Sequence, residues 1–147
     1  MEDKIVHIAR KIKEGGKNVV FTGAGISTES GIPDYRSQGG IWDKFRPVYF
    51  DEFMSSRNAR EEYWRKWIEL YQGITRAEPN AGHIAIARLH RMGLLDAVIT
   101  QNVDGLHQEA GNTNVIEYHG SNRDLVCLKC ASRFPRNEYT AKEVTDV

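Results

Sequence analysis

A short apolar run, Val19-Val20-Phe21-Thr22, feeds directly into Gly23-Ala24-Gly25. An apolar, β-branched run followed by a glycine turn reads as a buried strand delivered to a helix start, and this junction constrains the fold more than any other stretch. With no side chains at Gly23 and Gly25, backbone N–H groups of the turn can approach a phosphate. The turn does not complete the ordinary dinucleotide fingerprint, because Thr28 stands where the third glycine belongs. No acidic residue closes a clear second strand to hold an adenosine ribose, so a generic dehydrogenase fits poorly.

The rest of the chain alternates helix and strand signals. Ile5, Ile8, Ala9 and Ile12 recur at helical spacing behind Asp3 as N-cap, and Gly15-Gly16 ends that helix. The first strand spans 18–22, and a short helix over 27–30 is stopped by Gly31 and Pro33. Residues 34–42 are polar and glycine-rich and read as a loop beside the turn. A helical region over 50–71 carries Tyr63, Trp64, Trp67 and Tyr71, read as packing rather than ligand contact. Asn80 caps a helix running through Met92 with Ile84, Ala87 and Leu89 facing inward. A strand over 97–100, a helix or turn over 104–110 and a strand over 115–118 follow. This alternation predicts an α/β fold with a parallel sheet.

The 147 residues suffice for one domain with a sizeable core. Lys plus Arg and Asp plus Glu each number 20, which gives no bulk attraction to nucleic acid or to an anionic membrane. No apolar run reaches membrane-spanning length, and the charged opening Met1-Glu2-Asp3-Lys4 lacks a secretory core. Two cysteines do not make a disulfide framework, so a reducing, cytoplasmic setting is expected.

The glycine turn continues through Ile26-Ser27-Thr28-Glu29-Ser30-Gly31-Ile32-Pro33-Asp34-Tyr35-Arg36. Pro79-Asn80-Ala81-Gly82-His83, Thr100-Gln101-Asn102-Val103-Asp104-Gly105-Leu106-His107 and Glu117-Tyr118-His119-Gly120-Ser121 follow in order. Together these blocks resemble the sirtuins, the NAD-dependent protein deacylases, from the first helix to about the last dozen residues. The resemblance implies a Rossmann-like parallel sheet over 1–126 with a helical insertion at about 45–78, then the first half of a small zinc-ribbon module over 127–147.

It also implies roles. His119 and Asn102 would be catalytic. Gly23, Ala24, Gly25, Thr28, Tyr35, Arg36, Gln101, Asn102, Val103, Asp104 and His119 would line the NAD site. Asp104 would hold the nicotinamide amide, with Gln101 and Asn102 facing the adjoining ribose. The polar run follows a strand end, where open α/β sheets bind ligands. Imidazole titrates near neutrality and can take a proton from a hydroxyl. Arg36 can fork a phosphate or simply face solvent. His83 and His107 are read as structural, and His7 and His90 carry no signal.

Cys127 and Cys130 have the spacing of half a zinc knuckle, or of a thioredoxin-like redox pair. Sirtuins carry a second CxxC, a Gly-Thr-Ser or Gly-Ser-Ser turn and an adenosine-ribose Asn further on, and this chain has none of them. It therefore reads as truncated: a fragment, a chain whose partner supplies ligands, or one without metal. The function implied is transfer of acetyl from acetyl-lysine of a protein substrate to ADP-ribose, releasing nicotinamide. The alternatives are a catalytically incomplete NAD- or ADP-ribose-binding module and an ADP-ribosyltransferase. Tyr63 is followed three residues on by Lys66, not the Tyr-x-x-Arg of acidic-acyl deacylases, which favours acetyl.

Overall fold

The computed structural model describes residues 2–135. Helix α1 (Glu2–Glu14) precedes strand β1 (Val19–Thr22), and a 3-10 helix follows over Ala24–Ser30. Helices α2 (Ile41–Lys44), α3 (Phe50–Ser55) and α4 (Arg57–Ile74) form the insertion. Helix α5 (Ala81–Arg91), strand β2 (Ala97–Thr100), helix α6 (Leu106–Glu109) and strand β3 (Val115–Glu117) complete the main unit. A hairpin of β4 (Asp124–Val126) and β5 (Arg133–Pro135) follows.

The main sheet has the order β1-β2-β3 and is parallel throughout. Thr22 pairs with Thr100, and Thr100 with Glu117, so the three strands end level. The ladder continues past those ends: Gln101 N–H donates to Thr22 O at 3.0 Å, and Tyr118 N–H donates to Thr100 O at 2.8 Å. That level ending sets the glycine turn, the polar run and the histidine turn side by side along one carboxyl edge.

The two faces of the sheet differ. Val98, Thr22 and Thr100 are buried, and the core around them includes Ala87, Leu95 and Leu106. On the opposite face Phe21, Ile99 and Ile116 are register partners in one row, and Phe21 is 62% exposed. Parallel sheets are ordinarily covered on both faces. Ile5 and Ile8 of α1, expected to be its packing stripe, are also exposed. Helix α1 begins at Glu2, which puts Asp3 inside the first turn rather than at the cap. Its far end is tied down by Asn18, whose amide donates to Ile12 O and Leu94 O, both at 2.8 Å.

Two other expectations shift. The loop after Pro33 stops short of Trp42, which lies in α2. Helix α5 buries His83 and Ala87, four residues apart, while Ile84 is 39% exposed. The buried stripe thus sits one residue around the helix from where the apolar residues alone place it. Asn80 does cap α5: its Oδ1 accepts from Gly82 N–H at 2.9 Å, and its own N–H donates to His83 Nδ1 at 3.3 Å.

The insertion aromatics pack on one another. Phe53 meets Tyr63 edge-on at 5.2 Å, and Tyr63 meets Trp64 at 5.1 Å. The side chain of Tyr71 and residues 136–147 of the expected zinc module lie outside the described residues.

Candidate functional site

At the carboxyl edge the 3-10 helix meets the loop after β2. Ser27, 1% exposed, donates through Oγ to Asp104 Oδ2 at 2.7 Å and accepts from Asn102 Nδ2 at 3.0 Å. The other Asp104 oxygen accepts Leu106 N–H at 3.0 Å, which fixes the carboxylate at the start of α6. The Asn102 main-chain N–H donates to Thr100 Oγ1 at 3.0 Å, so this residue is held at both its backbone and its side-chain amide. Asn102 is nearly buried, whereas its neighbour Gln101 is exposed. A Cβ on Gly23 would come within 3.3 Å of Gln101 Nε2, and a Cβ on Gly25 would meet nothing within 4 Å. The turn is therefore close to the polar run at one glycine and open at the other.

Ala24 begins the 3-10 helix, and Thr28 within it is exposed, its hydroxyl returned to Gly25 O at 2.9 Å. Gly31 closes the helix in the left-handed region at φ 86°, donating to Thr28 O at 3.0 Å. Asn80 Nδ2 reaches back to Ile26 O at 2.7 Å and so braces this helix from α5.

The loop that follows is organised by Asp34. Its carboxylate accepts Arg36 N–H at 3.1 Å and Ser37 N–H at 2.8 Å, and the Ser37 bonds hold its carboxyl below the usual range. The Arg36 guanidinium lies over the Trp42 ring at 4.6 Å, and Tyr35 packs on the same ring at 5.9 Å. Burial pushes the Tyr35 phenol up, and the Asp104 carboxylate adds to the rise.

His119 is exposed and lies in the turn after β3, beside Tyr118 at 5.3 Å between ring centroids. Gly120 at φ 79° makes the turn, its N–H donating to Glu117 O at 3.1 Å. Val103 O accepts Asn122 N–H at 3.2 Å, which ties the chain beyond His119 to the polar run. Glu117 itself is held by a forked Arg123 ion pair at 2.7 and 2.8 Å.

Three residues of this arrangement escape sequence reasoning: Ser27, Thr22 and Thr100. Each is small and polar and sits where a strand residue or helix former is unremarked. Only the level strand ends expose their joint position. His83 and His107 are buried, with ring centroids 4.9 Å apart.

The cysteines sit on the β4–β5 turn. Cys127 N–H donates to Ser132 O at 2.9 Å, and Ala131, at φ 59°, donates to Cys127 O at 2.8 Å. Bonds from Ser132 and then Cys127 hold the exposed Cys130 thiol below its usual value. Two thiols on one turn fit half of a tetrahedral zinc site. Among the described residues no three His, Cys, Asp or Glu side chains gather to hold a metal.

The arrangement as a whole is a carboxylate, an amide and a hydroxyl fixed together beside an open glycine turn and an exposed imidazole. Such a set can orient an uncharged, hydrogen-bonding ligand and move one proton. The Sir2 family model matches residues 23–146. The chain belongs to the Sir2 family. It is 52% identical over 136 residues to an NAD-dependent protein deacetylase of Thermodesulfovibrio yellowstonii, covering 92% of this chain and 53% of that protein. A structure solved in work on the mechanism and regulation of Sir2 enzymes superposes with TM-score 0.82 at 42% identity, covering 99% of this chain and 57% of the other. A Sir2 histidine-to-alanine variant with a deacetylated p53 peptide and 3′-O-acetyl ADP ribose superposes with TM-score 0.82 at 38% identity, covering 97% and 55%. This Sir2 chain thus spans about half the length of the relatives it matches. Among its described residues no helix is long and apolar enough to cross a membrane.

Proposed function

We propose that this chain carries the nicotinamide-side half of an NAD-dependent protein lysine deacetylase site. The observation that carries the reading is the Ser27–Asp104–Asn102 cluster, set beside the glycine turn and the His119 turn by the level strand ends. When bound, NAD supplies the ribose carbon that accepts the acyl oxygen and the nicotinamide that leaves.

The chain's own residues do the rest. Asp104 accepts the carboxamide N–H of nicotinamide, and Ser27 keeps that carboxylate in place. Asn102, pinned at two points, faces the ribose with Gln101, and Val103 lines the same run. Gly23, Ala24, Gly25 and Thr28 leave room for the phosphates, and Arg36 pairs one of them once it leaves Trp42. Tyr35 and the loop over 34–41 exclude water. His119 takes the proton of a ribose hydroxyl. The contribution is positioning, exclusion of water and one base.

The substrate proposed is acetyl-lysine in a protein. Lys66 is engaged with Glu62 rather than free to pair an acidic acyl chain. Residues 1–126 form the NAD-binding unit with its insertion at about 45–78, and 127–147 begin a zinc module in which Cys127 and Cys130 give two ligands. The free thiols at Cys127 and Cys130 suit a cytoplasmic setting.

A second reading is favoured by the uncovered face at Phe21 and Ile116: a module that binds NAD or ADP-ribose without turnover. Mass spectrometry separates the two. An acetyl-lysine peptide is incubated with the chain and NAD, beside a His119→Ala control. Deacetylated peptide and O-acetyl-ADP-ribose, lost in the control, establish the deacetylase. NAD bound intact, with no nicotinamide released, supports the module, and ADP-ribosylated peptide overturns both.

A further inference from the structure

Beneath the cluster lies a second polar layer. Thr22 and Thr100, register partners at the ends of β1 and β2, join through their hydroxyls at 2.9 Å. Thr22 Oγ1 also lies 2.9 Å from His107 Nε2, and Thr100 Oγ1 accepts the Asn102 N–H at 3.0 Å. All three side chains are buried, and His107 is 1% exposed.

A hydroxyl has one hydrogen. Thr22 and Thr100 can each donate one hydrogen and accept another, so the hydrogens run one way along the layer: from a ring Nε2–H through Thr22 to Thr100, or from Thr100 through Thr22 to an accepting Nε2. In either direction the Thr100 oxygen accepts the Asn102 N–H, so the ring nitrogen, the two hydroxyls and the amide form one connected chain.

The neighbouring ring is fixed by a backbone donor: His83 Nδ1 accepts the Asn80 N–H, so its proton sits on Nε2. His83 Nε2 and His107 Nδ1 are both buried with no protein partner among the described residues. Burial first, then the nearby His83, holds His107 down to about 4, against the opposing pull of Asp104. The ring is therefore neutral at physiological pH.

We propose that His107 is a positioning residue: its Nε2 anchors the Thr22 and Thr100 hydroxyls and through them the main-chain amide of Asn102. The consequence at the ligand rests on the NAD reading above, but the relay does not. Two measurements separate them.

The first needs no ligand. NMR of the parent chain shows a slowly exchanging hydroxyl proton on Thr22 or Thr100, and long-range proton–nitrogen spectra of the His107 ring give the direction in which the hydrogens run. Fast solvent exchange of both hydroxyl protons overturns the relay. Thr22→Val and His107→Phe speed hydrogen exchange at the Asn102 amide by about tenfold, the effect of about one hydrogen bond. Thr22→Ser and His107→Gln, which keep a hydroxyl and an amide donor, leave it within about threefold. Equal protection in all four variants overturns the proposal, and if Thr22→Val or His107→Phe does not fold, the hydroxyl protons of the parent chain decide it.

The second is NAD titration by calorimetry. Where the parent binds, Thr22→Val and His107→Phe weaken binding by about tenfold and the two conservative variants restore it. Unchanged binding in Thr22→Val overturns the link to the ligand. No binding by the parent refutes the NAD reading and leaves the relay to the exchange data.

Discussion

Ser27 Oγ lies 2.7 Å from Asp104 Oδ2, which joins the glycine turn to the loop after β2 across 77 residues of sequence. The same hydroxyl accepts from Asn102 at 3.0 Å. One small side chain thus fixes two larger ones, each expected to touch the ligand.

Ser27→Ala removes the shared partner and leaves a nearly buried Asn102 amide without its acceptor. A buried group stripped of its partner costs about 1–3 kcal/mol. The expected outcome is a lowered unfolding midpoint in urea and NAD affinity reduced by about tenfold. Calorimetry and denaturation on the same preparation check both. Affinity and midpoint equal to the parent's would show that Asp104 and Asn102 keep their places without Ser27.

Much of this cluster was legible in the chain order, and some was not. The strands over 97–100 and 115–117 and the Asn80 cap follow from local pattern, because apolar alternation and capping are short-range properties. Asp104 and Asn102 could be placed at a strand end for the same reason. Ser27, Thr22 and Thr100 could not, since their pairing depends on strand register across more than seventy positions. Ile84 and the α1 stripe mislead for a related reason. Periodicity shows that a helix has an apolar face but not what element covers it, and here Ile5 and Ile8 stay exposed.

Acid should weaken the fold through the imidazole pair. His107 has an ordinary value of 6.5 and is held at about 4 in the folded state. The unfolded chain therefore binds the extra proton first. Stability is complete above about 6.5 and is lost as pH falls towards about 4, and His83 is shifted in the same direction. The His107 share is on the order of 3 kcal/mol over that window. Urea unfolding at several pH values measures the slope. His107→Gln, which cannot titrate, should flatten it, and a slope unchanged by that variant would place the acid sensitivity elsewhere.

Cys130 should be the more reactive thiol. It is exposed, whereas Cys127 is half-buried, and bonding from Ser132 lowers its pKa. The thiolate is the nucleophile, so a lower value raises the reactive fraction at neutral pH. Timed alkylation at pH 7 followed by peptide mass spectrometry should label Cys130 ahead of Cys127, and Ser132→Ala should slow the labelling of Cys130. Zinc added first should protect both if the half-site recruits further ligands. Equal labelling of the two cysteines, unaffected by Ser132, would contradict the assignment.

The bare sheet face makes the strongest demand on the chain's behaviour. Phe21 and Ile116 flank Ile99 in one row, on the face opposite the buried Thr22 and Thr100. Val19, 55% exposed, extends the patch along β1, which is also an edge strand. Uncovered apolar surface beside an unpaired edge favours association. The 147-residue chain should therefore sediment as concentration-dependent oligomers and bind an apolar dye. Phe21→Lys together with Ile116→Lys should shift it towards monomer, because two like charges in one row repel a facing copy. The polar cluster lies at the strand ends and not on this row, so the double variant should keep the Ser27–Asp104 contact and any NAD affinity. A parent chain that is monomeric at every concentration and binds no dye would contradict this reading of the face.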